Sequence, residues 1–479
     1  MSSQSAASKP ERAMTDLLSL SARQCADLFA RKKASPVDLL EAVLQRLDAV
    51  EPQINAFAVV DRAGARKAAE ESAARHAKGT AIGPADGLIG TIKDNVLVKA
   101  LPNRRGTRTS VDTPATEDSP ATARLKEAGC VILGKTTLPE IGWKGLGDSP
   151  LYGVTRNPWK TGHTTGGSSA GAAAAAALGL GHFHLGTDGL GSIRIPAAFT
   201  GVFGLKPSFG RVPAYPLSTM AVLAHLGPLT RRVEDAAFML SLIGRPDSRD
   251  NTAWNTPCAD YTENLDKGVR GLRIAWSPRM GYVDCVDPDV AAATEKAAKV
   301  FAELGASVEE VDPPIADPRA IADVLWQTGA AVAMKHVGAS DEPLLDPGLL
   351  AEVKSGRALT AVNYLDAFLA RGKLAHEMAV FHETYDLLLT PQMPTGAIPV
   401  GADVPPGSSF KHWVEWSPFT YPFNVTQQPA ASAPCGFTRD GLPIGLQIVG
   451  AMREDALVLQ AARAFEQARP FATIDAPRA

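Results

Sequence analysis

The stretches "GLIGTIKDNVLV" (87–98), "DSPATARLKEAG" (118–129) and "CVILGKTTL" (130–138) decide how the chain is built. The outer two are short and rich in β-branched residues. The middle one opens on Ser119 and Pro120, a pair suited to an N-cap and a first turn. Strand, capped helix, strand is a βαβ unit, and it argues for a largely parallel sheet. The pattern returns between Leu272 and Pro314, in "LRIAWSP", "PDVAAATEKAAKVFAELGA" and "SVEEVDPP". A further strand is expected in "YDLLLTPQMP" (385–394). Near the end of the chain, "GLPIGLQIVG" and "EDALVLQAARAFEQA" read as strand, turn and amphipathic helix.

Upstream, "SARQCADLFARKK" and "SPVDLLEAVLQRLDAVEPQ" read as helices, the second with Ser35 as N-cap and Pro36 in its first turn. "DRAGARKAAEESAARHAKG" continues in helical composition to Gly79, and strands are expected only after it. Residues 1–14 read as a disordered tail. Region 225–420 is the least regular and is the expected home of substrate-determining insertions.

The 479 residues are 45% hydrophobic and 21% charged, with a formal net charge of −3, which fits a globular chain with a large core. No basic run is dense enough to follow a phosphate backbone, so neither nucleic acid nor an anionic membrane is an expected partner. The longest apolar run, "AGAAAAAALGLG" (170–181), is short of the roughly 20 residues that span a bilayer. Five scattered cysteines show neither a disulfide framework nor metal-ligand spacing. With a polar N-terminus lacking the apolar core of a secretory signal, the reading is cytoplasmic.

Chemistry concentrates in "TTGGSSAG" (164–171) and "GTDGLGSIRIP" (186–196). The first runs into an alanine-rich helix, so its serines sit at a helix entry rather than in a flexible linker. Phosphate-binding patterns do not fit: "GVFGLKPS" has the wrong glycine spacing for a P-loop, and G-x-G-x-x-G is absent from this region. Ser192 lies in G-S-I-R-I, outside the G-x-S-x-G nucleophile elbow. What remains is a serine preceded by glycines whose N–H groups could meet a carbonyl oxygen. Gly189, Leu190 and Gly191, with Gly167, are the candidate oxyanion and substrate-binding positions. A base is needed as well. His182 and His184 lie on "GHFHLG", a buried strand, and read as structural. Lys93, inside an apolar strand, is the alternative, since a serine–lysine arrangement works when burial keeps the amine neutral.

At these residues the sequence resembles the amidase signature family of Ser-Ser-Lys hydrolases. The likeness runs through "GLIGTIKDN", "GGSSAGAAAAAALG", "GTDGLGSIRIPAAFTGVFGLKPSFGRVP", "PFNVTQQPAASAPCG" and "GLPIGLQIVG". It implies an α/β fold with a large mixed, mostly parallel twisted sheet covered by helices on both faces. One catalytic domain would span 15–479, with its core signature at about 85–215. It also implies that Lys93 is the base, that Ser168 follows a cis peptide bond and relays the proton, and that Ser192 is the nucleophile. Thr187, Asp188 and Arg194 would brace the nucleophile loop, and Ser169 would bond near the lysine. Neither metal nor organic cofactor is implied.

Two positions depart from the family pattern, Leu190 and Gln427, where glycine is usual. If residue 190 needs positive φ, leucine is strained there, and its side chain is expected to form a pocket wall. Gln427 is expected at the pocket rim. In "FKHWVEWSPFTYPFN", Trp413, Trp416, Phe419 and Tyr421 are candidates for an apolar cleft. The leading expectation is an amidase for an aryl or apolar amide, with esters and carbamates as further substrates. The alternatives are the glutamine-hydrolysing subunit of a tRNA-dependent amidotransferase, and a catalytically silent binder whose oxyanion loop is closed by Leu190. A homodimer stays open.

Overall fold

In the computed structural model, which describes residues 17–478, the first βαβ unit forms as its sequence dictates. Ile89–Lys93 and Val131–Thr136 are parallel neighbours joined through the helix Pro120–Glu127, where Ser119 Oγ accepts the Thr122 N–H. The second unit sets Arg273–Trp276 parallel to Ser307–Glu310 around the helix Pro288–Glu303, capped by Asp287. The tail read over residues 1–14 lies outside the described residues.

Numbered along the chain, the strands of the main sheet are β1 Phe57–Val60, β2 Ile89–Lys93, β3 Val131–Thr136, β4 Phe183–Asp188, β5 Phe203–Lys206, β6 His225–Thr230, β7 Arg273–Trp276, β8 Ser307–Glu310, β9 Leu387–Pro391, β10 Ala430–Phe437 and β11 Pro443–Gly450. They form one eleven-stranded sheet in the order β1-β3-β2-β4-β6-β5-β10-β11-β9-β7-β8, flanked by helices. The mixed sheet is as expected, but parallel pairing is the smaller part of it. Only β3-β2-β4 and β9-β7-β8 run parallel, and the other six pairs are antiparallel. Parallel neighbours need a long crossover, whereas β10 and β11 are joined by the short turn 438–442, which only an antiparallel pair can use.

Two further expectations are corrected. β1 precedes the helix Arg62–Lys78, so strands begin before Gly79; four residues are too few to show a period. Region 225–420 is also far from irregular, for it holds the helices Arg319–Ala333, Pro347–Ala358 and Ala361–Phe381. The last leaves Val362, Leu365 and Leu369 exposed at 67%, 54% and 62%, which blurs the apolar stripe that would reveal it.

Small residues bring the site's elements together. Every residue of the helix Ala170–Ala177 is buried, as is every residue of Arg194–Thr200, and the two pack on each other. A Cβ on Gly171 would lie 2.0 Å from the Ala56 carbonyl oxygen. Gly171→Ala is therefore expected to destabilise the fold by about 1–3 kcal/mol, whereas Gly162→Ala, with nothing within 4 Å of the new Cβ, stays near wild type. Urea unfolding of the pair checks this.

Candidate active site

Lys93 ends β2, fully buried, and its amine meets hydroxyls rather than a carboxylate. Nζ lies 2.7 Å from Ser168 Oγ, 3.0 Å from Ser169 Oγ and 2.9 Å from Thr187 Oγ1. Burial drives the amine well below the ordinary lysine range, with only the charge of Asp188 opposing. Ser168 enters from the loop before the alanine helix, after a cis Gly167–Ser168 peptide bond. Ser169 stands at the helix N-cap, yet its side chain caps nothing. Its Oγ donates to the Thr187 carbonyl and accepts the Thr187 N–H, at 3.1 and 3.2 Å, which holds it beside Lys93.

The loop carrying Ser192 is wound around Asp188. One carboxylate accepts the Gly191 N–H at 2.7 Å, the Ile193 N–H at 3.1 Å, Arg194 Nε at 3.0 Å and Asn424 Nδ2 at 2.8 Å. Burial alone would raise the Asp188 pKa, but Arg194, assisted by Lys206 and Asn424, holds it well below the carboxylate range. Arg194 also donates to Gln447 Oε1, the Thr420 carbonyl and Asn424 Oδ1, so it is fully engaged within the protein. Among the described residues, the N–H groups of Gly189, Leu190 and Ser192 have no acceptor. They remain available to an incoming oxygen.

Several expectations about this loop are corrected. The Gly191 N–H is taken by Asp188, and a Cβ there would sit 2.7 Å from Thr420 Cβ at a φ of +120°, so this glycine serves packing. Gly167 is off the cavity wall and lies against Leu146, whose carbonyl oxygen a Cβ would meet at 2.1 Å. Leu190 is not at positive φ, and its side chain is buried in the core instead of walling the pocket. Left-handed backbone occurs instead at Gln427, φ 68°, whose Nε2 donates to the Val222 carbonyl at 2.9 Å rather than lining the rim.

The aromatic cluster is likewise core. Trp416 stacks on Phe199 at 6.2 Å and donates to the Asp403 carbonyl, Tyr421 donates to Asp317, and Trp413 packs edge-on against Trp326. Phe419 is buried in the same cluster. Four large rings fill the space behind the helix Arg194–Thr200, and none lines the cavity.

Ser168, Thr187, Gly189 and Ser192 share a cavity of about 220 Å³. Its walls come from Asn95–Leu97, Ile141–Gly142, the segment 214–220 with its cis Tyr215–Pro216 bond, and Trp326. Most of this wall lies upstream of region 225–420. Asn95 is not among the sequence candidates, though its place two residues after Lys93 is a signal that could have found it; Ile141, Trp326 and 214–220 carry no pattern that sets them apart. His182 and His184 stay off the wall, and burial pulls both down to about 3. Among the described residues no His, Cys, Asp and Glu cluster could hold a metal, and no helix is long and apolar enough to cross a membrane. All five cysteines are free.

Ser168 and Ser192 thus share one cavity, with the buried Lys93 amine bonded to Ser168. The family profile described as Amidase matches residues 38–459, and the chain belongs to the amidase signature family. It is 39% identical to an acylamidase of Rhodococcus erythropolis over 95% of this chain and 96% of that protein. A glutamyl-tRNA(Gln) amidotransferase subunit of Moorella thermoacetica is 33% identical, covering 95% and 98%. A bacterial aryl acylamidase of the same family superposes with a TM-score of 0.88 at 29% identity, covering 94% of this chain and 96% of that one. The chain is an amide-hydrolysing enzyme.

Asp188→Asn would leave the Arg194 guanidinium buried without a counter-charge. The expected loss is about 3–5 kcal/mol of stability, read as a lower urea midpoint.

Proposed function

We propose that the enzyme cleaves aryl or apolar carboxamides through an acyl-enzyme on Ser192, with Ser168 as relay and Lys93 as base. The observation that carries this is the 2.7 Å approach of a buried, carboxylate-free amine to Ser168, on the cavity that also holds Ser192. Neutral Lys93 takes the proton of Ser168 Oγ as Ser168 takes that of Ser192, whose oxygen bonds to the substrate carbonyl carbon. The free N–H groups of Gly189, Leu190 and Ser192 receive the developing oxyanion. As the tetrahedral centre collapses, the C–N bond breaks, Ser168 protonates the leaving amine, and Lys93 returns its proton to Ser168. Water then releases the acid by the same route. Esters and carbamates present the same carbonyl geometry and are expected substrates. The reading places the enzyme in the cytoplasm, as one catalytic domain over 15–479.

The glutamine-hydrolysing reading has support in relatives such as the Moorella protein, but the cavity argues against it. A free amino acid brings an ammonium, and the one carboxylate on the wall among the described residues, Asp188, is saturated by Arg194, Asn424 and backbone donors. The silent-binder reading needed Leu190 to close the loop, and the Leu190 side chain is in the core.

Ser192→Ala is expected to abolish covalent labelling by a fluorophosphonate, followed by intact-protein mass spectrometry; labelling that persists would remove Ser192 from its role. Lys93→Ala should lower kcat/KM for an anilide by roughly 10³-fold or more while the variant stays folded. Because the base acts neutral and burial lowers its pKa, kcat/KM should rise with pH through that pKa and level off above it. A profile falling from acid to neutral pH would exclude Lys93 as base.

A further inference from the structure

We infer that Arg105 receives a carboxylate borne by the substrate, so that the preferred amides are anionic. This rests on the amide-hydrolysing site proposed above. Arg105 lies on the wall of the cavity that holds Ser168 and Ser192, and it is the single cation on that wall among the described residues. Its backbone is fixed at both ends: the N–H donates to Asp94 Oδ2 at 2.8 Å, and the carbonyl accepts the Ile141 N–H at 2.7 Å. With φ at 53°, the residue sits in the left-handed region, which is uncommon for a non-glycine residue.

The guanidinium is half-buried, yet it has no hydrogen bond or ion pair among the described residues. Nearby arginines are partnered. Arg104 forks onto Asp112 at 2.9 and 2.7 Å, and Arg108 donates to the Pro150 carbonyl at 2.9 Å. Asp94, the carboxylate whose charge acts on Arg105, is already committed to Lys135 Nζ at 2.9 Å, Tyr152 OH at 2.6 Å and the Arg105 N–H. Asp188, the carboxylate on the wall, is saturated. A cation held part-way out of water without a partner carries a desolvation cost that a ligand's negative group would offset. The planar fork fits a carboxylate through two parallel N–H donors. A dianionic phosphate would want a second cation, and none lines the cavity among the described residues.

Matched anilides test this: 4-acetamidobenzoate against 4-acetamidobenzamide, and N-phenylsuccinamate against N-phenylsuccinamide, with release of the arylamine measured. The wild type is expected to favour the acid in at least one pair by roughly 10- to 100-fold in kcat/KM, chiefly through KM. Arg105→Gln should bring that ratio close to one, and Arg105→Lys should restore part of it. In a Ser192→Ala background, calorimetry with the preferred acid should show Kd weakened by a similar factor on adding Arg105→Gln. Ratios near one in the wild type, or a ratio and Kd that Arg105→Gln leaves unchanged, would overturn the assignment while leaving the amidase reading intact. If no arylamine is released from any of the four, the proposed reaction fails, and the calorimetric comparison, run with both acids, then decides Arg105 by itself.

Discussion

The site is organised by a carboxylate whose bonds are all made within the protein. Asp188 closes β4 and gathers two backbone N–H groups of the next turn, the guanidinium of Arg194 and the amide of Asn424. Through Arg194 the same knot reaches Gln447 on β11 and the Thr420 carbonyl. Segments more than 200 residues apart are therefore fixed to the loop that presents Ser192. Because Asp188 engages the Gly191 and Ile193 N–H groups but not those of Gly189, Leu190 and Ser192, it also decides which donors stay open. An acid here is thus structural in its bonds and chemical in its effect.

Three buried lysines show how surroundings alone assign different tasks to one side chain. Lys135 is paired with Asp94 and donates to the Pro102 carbonyl, which fixes the loop after β2. Lys206 donates to the Gln428 and Pro207 carbonyls, joining β5 to the start of β10. Lys93 alone of the three is ringed by hydroxyls, whose oxygens can exchange protons with it in either direction. Burial lowers the pKa of all three, but only at Lys93 does the amine face a ring of side-chain hydroxyls.

What the sequence made legible follows from how local each signal is. The βαβ units were readable because Ser119, Pro120 and Asp287 mark helix starts within a few residues of β-branched runs. Lys93, Ser168 and Ser192 stood out because a lysine in an apolar strand and hydroxyls among glycines break the local pattern. The cavity wall was not legible. Whether Trp413 or Trp326 reaches substrate depends on packing between distant helices, and both look alike as isolated tryptophans. Leu190 and Gln427 teach the same lesson: each replaces a glycine usual in the family, yet only Gln427 occupies backbone that glycine would favour. The antiparallel centre of the sheet was not legible because the pairs β4–β6, β5–β10 and β9–β11 join strands that are not consecutive in the chain.

Lys93 and the Ser192 loop emerge from the carboxyl ends of β2 and β4, which are parallel neighbours, whereas much of the cavity's rim is the excursion 214–220 between β5 and β6. Reactive parts and selective parts are thus encoded in separate stretches of the gene. Such a build lets an enzyme acquire a new clientele by rewriting one connector while the machinery that breaks the bond is inherited untouched.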